Sequence, residues 1–258
     1  MKKLFLTIIA AVCLAAPQAL AQDMFNHMAL GVTVGLDGVG LEAATPLGDH
    51  FQLRAGYSIM PFSYSDNLNL GQTKIGGEMR DFKNVPLNVK MWKGGNGKLL
   101  ADWYPGDGVF HVTAGAFVSS GALLAGELDL SKSLTPDEYG TIGVGFEGGP
   151  SFSSDAKGIA HVDAMVMKVA PYVGVGIGRA VSSDKKVTFN FDLGALITGG
   201  LKPQSYNYIR NTLNASNPVE VIPITSAAVN NKDKGKIDKF SRIPVFPMLK
   251  LEVFVNLF

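Results

Sequence analysis

The stretch "VTFNFDLGALI", residues 187–197, decides the fold. Val187, Phe189, Phe191, Leu193, Ala195 and Ile197 share one parity, and Thr188, Asn190, Asp192 and Gly194 share the other. Successive side chains of an extended chain point to opposite faces, so this is a strand with one apolar face and one polar or glycine face. The split recurs in "VFHVTAGAFV" (109–118), where Phe110, Val112, Ala114, Ala116 and Val118 oppose His111, Thr113 and Gly115. It recurs in "FQLRAGYSI" (51–59) and in the closing "MLKLEVFVNLF" (248–258), where Leu249, Leu251, Val253, Val255 and Leu257 alternate with Lys250, Glu252, Phe254 and Asn256. A soluble barrel would turn its apolar face inward and cover the other with charge. Here the polar faces carry few charges and many Gly and Thr, which suits a crowded interior with the apolar face in lipid.

Working outward, eight such segments stand out, at 30–36, 39–45, 51–59, 98–104, 109–118, 171–178, 187–197 and 249–257. Asp37-Gly38 between the first two is a tight hairpin signal. The turns near 47–50, 105–108 and 180–186 are short, whereas the connections near 60–97, 120–168 and 200–245 are long. Sorting of this kind is what a membrane barrel does, with short turns on one side of the bilayer and long loops on the other. The expected fold is therefore all-β: one eight-stranded antiparallel up-and-down transmembrane β-barrel with long outside loops. Residues 85–92 read as an extension of the next strand, with a glycine bulge after them.

The N-terminus reads as a cleaved secretory signal over residues 1–21. Lys2 and Lys3 precede an apolar run to Ala16, and Ala19-Leu20-Ala21 is a small-x-small cleavage site, leaving residues 22–258 as the barrel. Cys13 is the only cysteine and lies within that signal, so disulfides and thiolate chemistry are excluded from the mature chain. Without Lys2 and Lys3 the chain has 21 Lys and Arg against 22 Asp and Glu, a balance that points away from nucleic acid.

The inward parity places a small set of charges inside the barrel: Glu42, Arg54, Asp102, Asp192, Lys250 and Glu252, with His111 nearby. An unpaired ion out of water is very costly, so these residues are expected to form an internal polar network. Trp92, Trp103, Tyr104, Tyr57, Tyr172 and Phe258 fall near strand ends and are expected to supply aromatic girdles at the membrane interfaces.

The stretches "LLADWYPGDGVFHVTAGAFV", "PYVGVGIGRAVSSDKKVTFNFDLGALITG" and "LEAATPLGDHFQLRAGYS" resemble a widespread family of small outer-membrane β-barrel proteins of Gram-negative bacteria. That family is similar in architecture to the OmpA-type eight-stranded membrane domain. Asp102-Trp103-Tyr104-Pro105, the Pro171-Tyr172 glycine repeat and Phe189 to Gly194 carry most of the likeness. The resemblance implies a bacterial outer-membrane location and a monomer with outer-membrane lipid, lipopolysaccharide and the barrel assembly machinery as partners. It implies no reaction and no cofactor. Barrels of this kind end on an aromatic residue read by the assembly machinery, and Phe258 fits that role, although the apolar positions before it are one residue out of step with the common pattern.

Three alternatives remain open. His111, with Asp102 and a nearby serine, is a candidate lipid-ester hydrolase site. A narrow channel or transporter for small apolar molecules is a second reading, and a soluble ligand-binding barrel a third. His27, His50, His111 and His161 have no metal-ligand spacing. Gly143, Gly145 and Gly148 match a dinucleotide pattern by letter, but Pro150 and a serine-rich stretch follow where a helix is required. Thr135-Pro136-Asp137-Glu138 reads as one helical turn. Asn214-Ala215-Ser216 matches a glycosylation sequon by letter. Lys232, Lys234, Lys236, Lys239 and Arg242, mixed with Asp233 and Asp238, read as a solvated loop that could meet lipopolysaccharide phosphates.

Overall fold

The computed structural model describes residues 27–75, 78–106, 108–145, 151–208, 220–224 and 244–257. The expected signal segment, the sequon at Asn214, the basic stretch 232–242 and Phe258 lie outside the described residues.

Three strands come first: β1 (Ala29–Gly35), β2 (Gly38–Pro46) and β3 (Phe51–Ile59). Four shorter strands follow, β4 (Ser63–Leu68), β5 (Gln72–Ile75), β6 (Glu78–Asp81) and β7 (Val85–Met91). Next are β8 (Asn96–Trp103), β9 (Phe110–Ser119), β10 (Ala122–Asp129), a single 3-10 turn (Pro136–Glu138), β11 (Gly143–Gly145) and β12 (Ser151–Ser153). β13 (Ile159–Met165), β14 (Val169–Gly178), β15 (Val187–Ile197), β16 (Lys202–Asn207), β17 (Glu220–Pro223) and β18 (Val245–Asn256) complete the chain.

Eight of these strands close a barrel in the order β1-β18-β15-β14-β9-β8-β3-β2. Each pairs antiparallel with the barrel strands before and after it in the chain, and β1 meets β18 from Ala29↔Asn256 to Gly35↔Lys250. Closure leaves the barrel no free edge, which is the condition for strands to cross lipid. The faces follow the parity of the sequence. Along β18, Leu249, Leu251, Val253 and Val255 point out, while Lys250, Glu252, Phe254 and Asn256 are buried. Val32 and Val34 on β1, Val173, Val175 and Ile177 on β14, and Phe189 and Phe191 on β15 continue the outer apolar surface. The fold is an all-β, eight-stranded up-and-down transmembrane barrel.

The aromatic residues divide differently from the girdle expected of them. Tyr57 and Trp103 lie on the outer wall, but Trp92, Tyr104 and Tyr172 are buried. Inward parity fixes Tyr172 within β14. Trp92 follows β7 and Tyr104 follows β8, where the chain turns them into the lumen.

The long connections contain strands of their own. A six-stranded sheet has the order β17-β16-β13-β10-β7-β4. Each of β4, β7, β10, β13 and β16 adjoins a barrel strand in the chain, and together they repeat the order β3, β8, β9, β14, β15. The links between barrel and sheet are bonded side by side. Lys93 N donates to Ala122 O at 3.2 Å, Val166 N to Gly121 O at 2.7 Å, Ser119 N to Lys168 O at 2.9 Å and Met167 N to Thr198 O at 3.1 Å. Five adjacent wall strands therefore run on past the barrel, whereas β1 and β2 end at their tight turn. Val85–Met91 is a separate strand of this sheet rather than part of β8: Trp92, Gly94 and Gly95, all at positive φ, turn the chain between them.

The extension has an apolar face and a polar face. Leu87, Val89 and Met91 pair with Leu128, Gly126 and Leu124, which pair in turn with Ala160, Val162 and Ala164. Phe82, Leu130, Leu134 and Tyr139 pack with Val85, Leu128 and Ala160 into one buried cluster. The segment carrying Leu134 and Tyr139 is tied down at its 3-10 turn, where Glu138 accepts from Thr135 N at 2.7 Å and from Arg80 Nη1 at 2.6 Å. The Thr135 backbone N–H, and then Arg80, hold the Glu138 carboxyl below its ordinary range. Of the dinucleotide-like glycines, Gly143 and Gly145 lie in a strand that pairs with Ser151–Ser153 in a short ladder, and Gly148 lies outside the described residues.

Candidate functional site

The barrel interior is built in three layers: strand parity delivers the middle one, and turns and links complete the two ends. The middle layer is ionic. Arg54, from β3, is sealed from solvent and faces four carboxylates. Its Nη2 donates to Asp102 Oδ1 at 2.8 Å, and its Nε lies 2.7 Å from Asp102 Oδ2 as an ion pair. Nη2 also reaches Asp192 Oδ2 at 2.7 Å, Nη1 donates to Glu252 Oε2, and Glu42 Oε2 lies 3.8 Å away. Lys250 Nζ bridges Glu252 Oε1 at 2.7 Å and Asp192 Oδ2 at 3.2 Å. Charge-assisted contacts of this kind are the strong ones in a dry interior.

His111 lies in the same layer. Its Nε2 is 2.8 Å from Asp192 Oδ1, and Nδ1 has no hydrogen-bond partner among the described residues. The two residues stand on β9 and β15, which flank β14, so their bond crosses that strand. Gly176 is the residue of β14 paired with both, and a Cβ there would overlap the imidazole and the carboxylate. Asp102 is not the partner of His111, in contrast to the hydrolase constellation. Its oxygens are taken by Arg54 and by Thr113, whose Oγ1 donates at 2.7 Å. The ring is buried against Tyr104, with centroids 5.2 Å apart. All seven interior residues picked out by parity, Glu42, Arg54, Asp102, His111, Asp192, Lys250 and Glu252, are thus buried in one connected layer.

Sequence reasoning missed several members. Lys98 Nζ sits 2.5 Å from Glu42 Oε1 and 2.9 Å from Asp37 Oδ2, and it donates to Thr33 Oγ1 at 3.3 Å. Lys98 shares the parity of Asp102 and was legible on that ground. Asp37 was masked by its turn: Gly38 at φ 106° makes the tight hairpin, and the Asp37 carboxylate turns back into the lumen. Asn190 supports Glu252, donating through Nδ2 at 3.0 Å.

Toward the long-loop end the layer becomes apolar. Lys98 Nζ and Lys250 Nζ stand 5.9 and 5.8 Å from the ring centroids of Phe117 and Tyr172, which pack against each other at 5.5 Å. Leu100, Leu123, Leu196, Met248 and Trp92 join them in one buried cluster that reaches the mouth. Trp92 spans the opening: its Nε1 donates to Leu36 O at 3.1 Å, and its ring meets Phe246 edge-on at 5.9 Å. A tryptophan at φ 51° stores backbone strain of about 1–3 kcal/mol, which this packing holds in place.

Toward the short-turn end the chain between β14 and β15 folds into the lumen. Gln52 Oε1 accepts from Ala180 N at 3.1 Å and Val181 N at 3.2 Å, and Gln52 Nε2 donates to Val181 O at 2.8 Å. Tyr104 OH donates to the same Oε1 at 3.2 Å, and the Arg179 guanidinium lies 4.4 Å from the Tyr104 ring centroid. Ala180 and Val181 then pack with Ala29, Ala44 and Phe254.

Solved structures that resemble this chain include three outer-membrane proteins. CarO2 and CarO of Acinetobacter baumannii align over 89% and 88% of it, and over 98% and 96% of their own lengths, at 18% and 17% identity with TM-scores of 0.48 and 0.45. A major outer membrane protein from Thermus thermophilus aligns over 89% of this chain and 99% of its own, at 11% identity with a TM-score of 0.40. No protein-family model and no curated protein matches the chain.

Outside the barrel, the polar face of the extension holds a second cluster. Tyr206 OH donates to Asp163 Oδ2 at 2.5 Å and accepts from Gln204 Nε2 at 2.6 Å. Burial first, and then the bond to Asp163, pushes the Tyr206 hydroxyl up to about 12. Burial does the same for Tyr208, up to about 12, beside His161 at 5.9 Å between ring centroids.

Proposed function

We propose that the protein is a non-catalytic component of the bacterial outer membrane, anchored by a filled barrel and presenting a folded sheet at the cell surface for envelope integrity or adhesion. One observation carries this reading: the lumen is closed three times over, by the turn held on Gln52, by the ion layer around Arg54 and by the apolar cluster around Trp92. A barrel of eight strands has little more room than its own side chains fill. The geometry of His111 supports a structural role, because its partner Asp192 is already engaged by Arg54 and Lys250. The orientation in this reading puts the short turns in the periplasm and the extension outside. Lipopolysaccharide and the assembly machinery are its partners in that setting, and the chain acts as a monomer.

Purified protein reconstituted in planar bilayers tests the reading. The expected result is heat-modifiable migration on gels with no steady conductance. Stable unitary currents in the intact protein would replace the anchor reading with the channel reading.

A further inference from the structure

The wall changes character at one level, where the barrel strands pass into the extension. Below that level the outward residues are apolar: Leu99, Val118, Val169 and Ile197 are all exposed on the outer surface. At the level itself lie the links at 92–95, 120–121, 166–168 and 198–201, side by side and hydrogen-bonded to one another. These links contain no Asp or Glu. Two of them carry an exposed lysine, Lys93 and Lys168, and Lys202 opens β16 directly after the last. None of the three has an ion pair among the described residues.

Their placement is consistent with one surface. Lys202 pairs with Met165 and shares the outward face of Gln204 and Asp163. The stem of Lys168 lies over Gly121, where a Cβ would come within 3.2 Å of its Cγ, so it leans toward the link bonded to Lys93. The opposite rim is mixed in sign: Asp49, Arg179, Asp184, Lys185 and Lys186 share its turns.

We propose that Lys93, Lys168 and Lys202 form a docking belt for the phosphorylated headgroups of outer-leaflet lipid. The proposal rests on the outer-membrane reading above and deepens it by assigning the residues that meet the lipid. An acyl chain lies along the apolar wall, and its headgroup phosphate sits at the level of the ammonium groups. A lysine is a point charge on a flexible stem, suited to a phosphate of variable position. A cation-only belt next to an anionic surface gains affinity from each charge.

The full chain and a K93Q/K168Q/K202Q variant are reconstituted in phosphatidylcholine nanodiscs doped with bisphosphorylated or dephosphorylated lipid A. Lipid retained by the released protein is read by native mass spectrometry. The intact belt is expected to retain the phosphorylated form on the order of 100-fold more strongly, and the variant to lose that preference. A triple Lys→Arg variant is expected to keep it. Competition by millimolar inorganic phosphate would assign the belt to free phosphate instead. Equal retention of both lipids by the intact protein overturns the belt and leaves the barrel reading standing. Failure of the intact protein to insert, seen as the absence of heat-modifiable migration, overturns the barrel reading and the belt with it. Normal migration of the variant keeps a loss of retention from being a loss of fold.

Discussion

The barrel and the extension are made from adjoining strands of one wall, yet they sort their residues oppositely. In β9, His111 and Thr113 point in and Val112 points out. In β10, Leu128 points to a packed core and Glu127 points out, paired with Lys90 at 3.2 Å. The backbone is the same and the surrounding medium differs. Within the bilayer the outside must be apolar, so the polar groups withdraw inward and must satisfy one another. Beyond it water surrounds the wall, and the ordinary rule of apolar inside returns.

Breaking that contrast most severely requires the removal of Arg54. Arg54→Met leaves Asp102, Asp192 and Glu252 without their main partner and should cost about 3–5 kcal/mol. Denaturant unfolding in lipid micelles measures it, and the Arg54→Met/Asp102→Asn double variant should recover part of the loss. Equal losses in the two would refute a coupled network. A lysine on the outer wall tests the other half of the contrast. Leu251→Lys should cost about 2–4 kcal/mol in the same assay, whereas Glu127→Lys, on the outward face of the extension, should stay within about 1 kcal/mol. Gly176→Ala is smaller and more local. Crowding the crossing of His111 and Asp192 should cost about 1–3 kcal/mol, and a shift of the His111 ring resonances would locate it.

The mildest probe is alkaline pH. Tyr206 has its hydroxyl raised to about 12 in the folded sheet, against an ordinary value of 10.0. Its contribution is therefore complete below pH 10 and falls as pH rises toward 12. The extension should loosen across that window, read as rising protease sensitivity, and Tyr206→Phe should flatten the change.

Much of the barrel was legible in the sequence because a period of two, read across eight segments, has one consistent solution. The interior charges followed from the same parity. The extension was not legible for a physical reason. Its strands are short and polar on one face, as in "SYSDNL" and "KPQSYN", and the glycines and prolines between them read as loop. Gln52 and Asp37 were hidden in another way: their roles depend on where a turn folds back, which parity does not encode. Lys98 was within reach, and so was Tyr172, whose inward position follows from the glycines beside it.

The ion layer also ties together strands far apart in the chain. Arg54 enters with β3, but its partners Asp192 and Glu252 lie 138 and 198 residues further along the chain. Glu42, Lys98 and Asp102 lie on the strands next to β3, whereas Asp192, Lys250 and Glu252 belong to β15 and β18. The pairing is completed across the closing seam, where Lys250 and Glu252 meet Arg54, Glu42 and Asp192. A barrel lacking β18 is therefore expected to leave Arg54 without Glu252 in the bilayer core, where an unpaired charge is costly.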